Sequence, residues 1–229
     1  PTEIVAANDG TVKLDYVAED QYGNVLDWNV AAEKALIQAF TNSTSTAPTV
    51  VAANGMALNA DGEIVVTLAG GTGEVTLTAT DGVSKEYGSV TFEVLAAAKP
   101  TTIAGLKDFT ANVSEGVATN LKVENLIVKD QYGRDYELSG TEGAKAYFKS
   151  GSSTALTIAA NSGAVTGADL ATGAKMTNDN TTDYAIFTGT ATAGSSVVVI
   201  QLLSNVNNDA TAVDGGKYEV TITNTTNII

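Results

Sequence analysis

Apolar and polar residues alternate with a period of two at several places along this chain. Val75, Leu77 and Ala79 alternate with Glu74, Thr76, Thr78 and Thr80; Val90, Phe92 and Val94 alternate with Thr91 and Glu93; Tyr218, Val220 and Ile222 alternate with Glu219, Thr221 and Thr223. Successive side chains of a strand point to opposite faces, so each run predicts a strand with one face buried and one wet. Turn-forming clusters punctuate these runs: Asn8-Asp9-Gly10, Asp61-Gly62, Gly70-Gly71-Thr72-Gly73, Asp81-Gly82, Asn161-Ser162-Gly163 and Asp214-Gly215-Gly216. Short strands at this spacing, roughly seven per hundred residues, predict an all-β sandwich. The segment Ala31–Phe40 departs from the pattern. It consists of helix formers with Ala32, Leu36 and Phe40 four apart, and predicts a short helical insertion. The corresponding stretch Glu142–Phe148 places Gly143 near its start, which weakens a helix there.

The pattern is written twice. Asp20-Gln21-Tyr22-Gly23-Asn24 recurs as Asp130-Gln131-Tyr132-Gly133-Arg134, an offset of 110, each copy after a strand-like run, Leu14–Ala18 and Leu126–Lys129. Pro1-Thr2-Glu3-Ile4 also echoes Pro100-Thr101-Thr102-Ile103, and Ala96–Pro100 reads as a short linker. Two domains follow, 1–98 and 99–229, each an immunoglobulin-like β-sandwich in size and strand spacing.

Composition supports the all-β reading and narrows the chemistry. The 229 residues are 44% hydrophobic, enough for two cores, and rich in Thr and Val, whose branched Cβ suits a pleated strand. Cysteine and histidine are both absent. That removes disulfides, thiolate nucleophiles, Cys or His metal ligands and the commonest general base. The net charge is −14, of which the first domain carries −10 and the second −4. Neither domain offers a basic footprint, so nucleic acid is not an expected partner. The longest apolar stretch, Val197–Ile200, stops at Gln201, far short of a membrane span. A chain opening on Pro1 rather than Met reads as a segment of a longer protein, whose other domains are then expected partners.

The repeated turn has a physical rationale. An Asp carboxylate can accept the N–H two residues on, and a following Gly supplies the positive φ that closes the turn. The Tyr ring is expected to lie over the end of the sandwich with its hydroxyl in water. A strand ending in Asp-Gln-Tyr-Gly, repeated about once per hundred residues in an acidic, Cys-free, Thr- and Val-rich chain, resembles the immunoglobulin-like repeats of bacterial surface-layer (S-layer) proteins of the Gram-positive bacillus type. Related modules occur in adhesins and wall-associated enzymes. The resemblance implies an extracellular location at the cell surface or wall. It also implies self-assembly with neighbouring copies into a lattice, and assembly that often depends on calcium.

No residue is singled out as catalytic, cofactor-binding or metal-binding, and the chain is expected not to be an enzyme. The single Trp28 lies eight residues after Asp20, where the second copy has Leu138, so core packing is expected rather than a sugar platform. Carboxylates could act in pairs as in glycosidases, but they fall on turns and polar strand faces with no apolar setting to shift them. Gly70–Gly73 lacks the Lys-Ser/Thr ending of a phosphate loop and is expected to be a hairpin turn. The matches to the N-glycosylation pattern at Asn42, Asn112, Asn180 and Asn224 carry no weight in an Asn- and Thr-rich chain. No cofactor is required. Structural calcium is the one candidate, with Asp130 and Asp135 expected near Asp209 and Asp214 at one pole of the second domain. The functional expectation is a structural, non-catalytic part of a surface lattice; the alternative is a stalk or binding module of an adhesin or wall-associated enzyme.

Overall fold

The computed structural model describes residues 2–5, 11–39, 50–80, 86–161, 165–179 and 182–225. The turn Asn8–Gly10, the turn Asp81-Gly82, Ser162-Gly163 and Phe40 of the expected helix lie outside them. The chain divides into two compact units, Pro1–Ala97 and Ala98–Ile229. Both are all-β, immunoglobulin-like sandwiches.

Unit 1 contains β1 (Thr2–Val5), β2 (Thr11–Leu14), α1 (Ala31–Gln38), β3 (Val51–Leu58), β4 (Ile64–Leu68), β5 (Gly73–Thr80) and β6 (Glu86–Leu95). Its sheets are β1-β6-β5 and β2-β4-β3, with β1 parallel to β6 and the other pairs antiparallel. Val12, Val66 and Leu68 of one sheet meet Val75, Leu77, Phe92 and Val94 of the other, and Val50 joins them. The predicted inward phase of β5 and β6 is therefore the buried one. Val90, in phase but toward the β5–β6 hairpin end, is exposed. Gly70–Gly73 is not a hairpin turn. It carries the chain from β4 in one sheet to β5 in the other, with Gly70 at φ 90° and Gly73 at φ 136°. Turn chemistry marks a change of direction without saying whether the next strand pairs with the last.

The expected helix forms over Ala31–Gln38, but its inward residue is Ile37, while Ala32 and Leu36 face solvent. A spacing of four tests one stripe of a helix; the adjoining stripe, one residue on, carries the β-branched side chain that the core takes.

Unit 2 contains β7 (Pro100–Leu106), β8 (Asn112–Ser114), β9 (Ala118–Leu121), β10 (Leu126–Asp130), β11 (Gly143–Phe148), β12 (Leu156–Ala160), β13 (Ala174–Thr177), β14 (Ala185–Gly189), β15 (Gly194–Leu203) and β16 (Ala212–Thr225). The sheets β13-β11-β15-β16-β8 and β12-β14-β9 face one another, and β7 and β10 form a separate antiparallel ribbon. As in unit 1, the short early strand β8 runs parallel to the last one. The core includes Leu121, Leu138, Phe148, Leu156, Met176, Phe187, Ile200, Leu202 and Ile222. The stretch after Glu142 is strand, not helix: Gly143, Ala144, Ala146 and Phe148 are buried between β13 and β15. Asp214-Gly215-Gly216 is not a turn between strands. It lies inside β16, where the pairing shifts between Gln201↔Lys217 and Leu203↔Ala212, and Gly215 at φ 75° makes a bulge.

Aligning the units on the repeated turn places Thr2 at the position of Asn112, so β1 is the counterpart of β8. Both run parallel to the last strand of their unit. The echo of Thr2-Glu3-Ile4 in Thr101-Thr102-Ile103 is thus not a structural equivalence, and among the described residues of unit 1 no strand corresponds to β7.

Candidate functional site

The repeated pentapeptide builds the same hairpin tip twice. In unit 1 the Asp20 carboxylate oxygen Oδ1 accepts the N–H of Tyr22 at 2.8 Å and of Asn24 at 2.9 Å. In unit 2 Asp130 Oδ1 accepts the N–H of Tyr132 at 2.8 Å and of Arg134 at 2.9 Å. The main chain repeats as well. Asp20 N–H donates to Asn24 O at 2.9 Å and Gly23 N–H to Asp20 O at 3.0 Å, matched by 3.0 Å and 3.1 Å at Asp130–Arg134 and Gly133–Asp130. Gly23 and Gly133 take φ 85° and 76°, the left-handed conformation the turn requires. Beyond the tip, Leu26 N–H reaches Ala18 O and Tyr136 N–H reaches Val128 O, so both tips end a short antiparallel ladder.

The two tips differ in their surroundings. Asp130 continues the inward phase of Leu126 and Val128 and is only 5% exposed, whereas Asp20 is half-buried. The Asn24 side-chain amide, then the Asn24 backbone N–H, holds the Asp20 carboxyl below its ordinary value. Neither tyrosine ring is buried under the sandwich end. Tyr22 is 81% exposed, and Tyr132 is half-buried with the Arg134 guanidinium 5.0 Å from its ring centre.

Trp28 is not a core residue, although Leu138 is, at 3% exposed. In unit 1 α1 follows directly, and the indole packs on the turn between β3 and β4 instead. Its Nε1–H donates to Ala60 O at 3.2 Å. One ring face lies on Gly62, where a Cβ would fall 2.3 Å from Cδ2, and the Lys34 ammonium lies 4.4 Å from the ring centre. Gly62 and Lys34 therefore take up the indole surface that a sugar would stack on.

A cavity of about 300 Å³ in unit 2 is lined by Lys145, Lys175, Val165, Val206 and Asn207. Lys145 and Lys175 are directly opposed across β11 and β13, a repulsive pairing that neighbouring carboxylates offset. Lys145 Nζ lies 2.7 Å from Asp209 Oδ1, and Lys175 Nζ lies 3.3 Å from Asp183 Oδ2 and 3.0 Å from Asn207 Oδ1. The lysines are thus committed to internal partners.

The four carboxylates expected at one pole are not gathered. Asp130 serves its turn, Asp135 pairs with Lys129 at 2.7 Å, Asp209 pairs with Lys145, and Asp214 is exposed on the β16 bulge. Among the described residues no group of three or more acidic side chains is placed to hold a metal ion, and no helix is long and apolar enough to cross a membrane.

Tyr136, missed in the sequence, is the strongly shifted ionisable group among the described residues. Burial first, then a hydrogen bond from its hydroxyl to Glu142 at 3.0 Å, pushes it up to about 12. Because the folded value is raised, the neutral phenol contributes stability fully present below the ordinary tyrosine range and lost as pH rises toward 12. Subtracting the 295 nm titration of Tyr136→Phe from that of the unaltered chain is expected to give a step near 12. A step near 10 would show that neither burial nor Glu142 holds the phenol.

No family model and no curated protein matches the chain. Among solved structures, domains 4 and 5 of the S-layer protein SbsC are 16% identical, covering 92% of this chain and 89% of that one, with a TM-score of 0.42. The Escherichia coli adhesin FdeC is 17% identical over 80% of this chain and 48% of that one, with a TM-score of 0.31. A chimeric titin Z1Z2 is 14% identical over 98% and 92%, with a TM-score of 0.35. Likenesses this distant assign no family.

Proposed function

We propose that the chain is a pair of structural, non-catalytic modules of a bacterial cell-surface protein, contributing to a self-assembling surface lattice of S-layer type. The observation that carries this reading is the hairpin tip whose carboxylate caps and main-chain hydrogen bonds recur at a fixed offset of 110 residues. In each copy the repeated chemistry of the motif is spent on its own backbone: the carboxylate caps N–H groups and the glycine turns the chain. Tandem copies of a self-satisfied sandwich suit a repeated spacing element, and an acidic surface keeps such elements soluble until they assemble. The partners on this reading are neighbouring copies of the same protein and other domains of its parent.

Immunogold labelling of intact source cells with antibody against this chain, read beside negative-stain images of the envelope, tests the proposal. Label over a regular surface array is the expected result. Label on a surface with no array, together with saturable binding of a wall or host ligand by the purified chain, would replace it with a stalk or binding module. Label confined to the cell interior overturns both.

A further inference from the structure

Lys145 and Asp209 of unit 2 meet in a way that sets them apart from the surface ion pairs. Lys145 stands on the outward face of β11, directly opposite Lys175 of β13. Its side chain is only 13% exposed, beside the apolar cavity walls Ala160, Val165 and Val206. Asp209 begins the single 3-10 turn Asp209–Thr211 that leads into β16. That turn is fixed from both ends: Asn208 Oδ1 accepts the Ala210 N–H at 3.1 Å, and Ser204 N–H donates to Thr211 O at 3.1 Å. Asp209 Oδ1 is thereby held 2.7 Å from Lys145 Nζ. This oxygen is buried, yet among the described residues it has no hydrogen-bond partner. The contact has the length of a hydrogen bond without its direction. The three other pairs this close, Lys13–Glu63, Lys129–Asp135 and Lys149–Glu219, are all hydrogen-bonded, and their lysines are 64%, 31% and 56% exposed.

We infer that Lys145 and Asp209 join in an intramolecular amide (isopeptide) bond between Nζ and Cγ, tying β11 to the turn ahead of β16. A lysine becomes a nucleophile where burial and a neighbouring cation help it to shed its proton. Lys145 has both, with Lys175 as the cation. Asp209 serves as base and as electrophile. The ion pair passes one proton from Nζ to the carboxylate, and the free amine adds to Cγ. The Cγ–O bond then breaks, and the hydroxyl leaves with a second Nζ proton as water. Nothing is oxidised or reduced, and no co-reactant is consumed. Proximity replaces chemical activation, since well-oriented groups within one molecule react as if at an effective concentration on the order of 10⁵ M or more. In a chain with no cysteine, the bond does for unit 2 what a disulfide does elsewhere, closing a long loop covalently.

Mass spectrometry of the intact, folded chain tests the bond. The expected mass is one water molecule below that of the sequence, restored to the full value in Lys145→Arg and in Asp209→Ala. Proteolysis of the unaltered chain is expected to yield a branched peptide joining the segments around Lys145 and Asp209, a result that does not depend on either variant folding. The full sequence mass in the unaltered chain overturns the inference. So does a missing water that persists in both variants, which marks a cyclic imide at an Asp-Gly step such as Asp61-Gly62 or Asp214-Gly215.

Discussion

Replacing Asn224 by Asp is expected to lower the stability of unit 2 by about 3–5 kcal/mol, more than any surface substitution in the chain. Asn224 is 1% exposed at the end of β16. Its amide NH2 shares its two N–H donors among three main-chain carbonyls, those of Ala155 at 3.0 Å, Thr190 at 2.8 Å and Thr192 at 2.8 Å. Those oxygens belong to the approach to β12 and the loop between β14 and β15, so one side chain pins both to the last strand. An aspartate has nearly the same shape but presents an oxygen to all three carbonyls, which turns attraction into repulsion in a dry site. Asn224→Leu removes the donor without adding charge and is expected to cost less, about 2–3 kcal/mol. Room for relief is small, because a Cβ at Gly189 would already lie 2.4 Å from Asn224 Oδ1. Urea unfolding followed by far-UV circular dichroism gives the loss, and Trp28, the single tryptophan, reports unit 1 in the same samples. Equal stability of Asn224→Asp and the unaltered chain would show that the amide does not hold the three carbonyls.

Asn224 also shows how far the sequence could be read. The alternation Tyr218, Val220, Ile222 predicts the inward face of β16, and Asn224 is the next residue in that phase. Leu126, Val128 and Asp130 repeat the pattern, a polar residue closing an apolar phase and buried there. Extending each alternation by one step reaches a buried side chain that the expectation of carboxylates on turns and polar faces passed over. It does not indicate what that side chain binds, since the partners are carbonyls or N–H groups that no residue type announces. Gly70–Gly73 and Asp214–Gly216 were legible as places where glycine is needed. Whether such a place is a hairpin, a crossing between sheets or a bulge depends on which strands pair, a long-range property. Trp28 misled for the same reason. Its alignment with Leu138 is correct in the chain, but helix α1 follows it in one unit and strand β11 follows Leu138 in the other, so the inward space differs. The equivalence of β1 with β8 was hidden by the Pro-Thr echo, which matches residues that play different parts.

The repeated tip yields the second large effect through the contrast between its copies. Asp130→Ala leaves the Tyr132 and Arg134 N–H groups without their acceptor at a position only 5% exposed, and is expected to cost unit 2 about 2–4 kcal/mol, or roughly 10 °C in Tm. Asp130→Asn keeps a carbonyl oxygen in the place of Oδ1 and is expected to recover most of that loss. Asp20→Ala removes the same two bonds from a tip more open to water, which can replace the carboxylate, so its effect is expected to be clearly smaller. Asp20 also carries an acid response. Asp20 is held below its ordinary value by Asn24, so its contribution is present above the unfolded carboxyl range and is lost as pH falls through the lower folded value. Acid titration followed by Trp28 fluorescence, eight residues downstream, should show this loss in the unaltered chain and not in Asp20→Ala. If the two alanine variants cost the same, burial does not set the strength of the turn. If Asp130→Asn is as damaging as Asp130→Ala, the carboxylate's charge rather than its acceptor oxygen holds the loop.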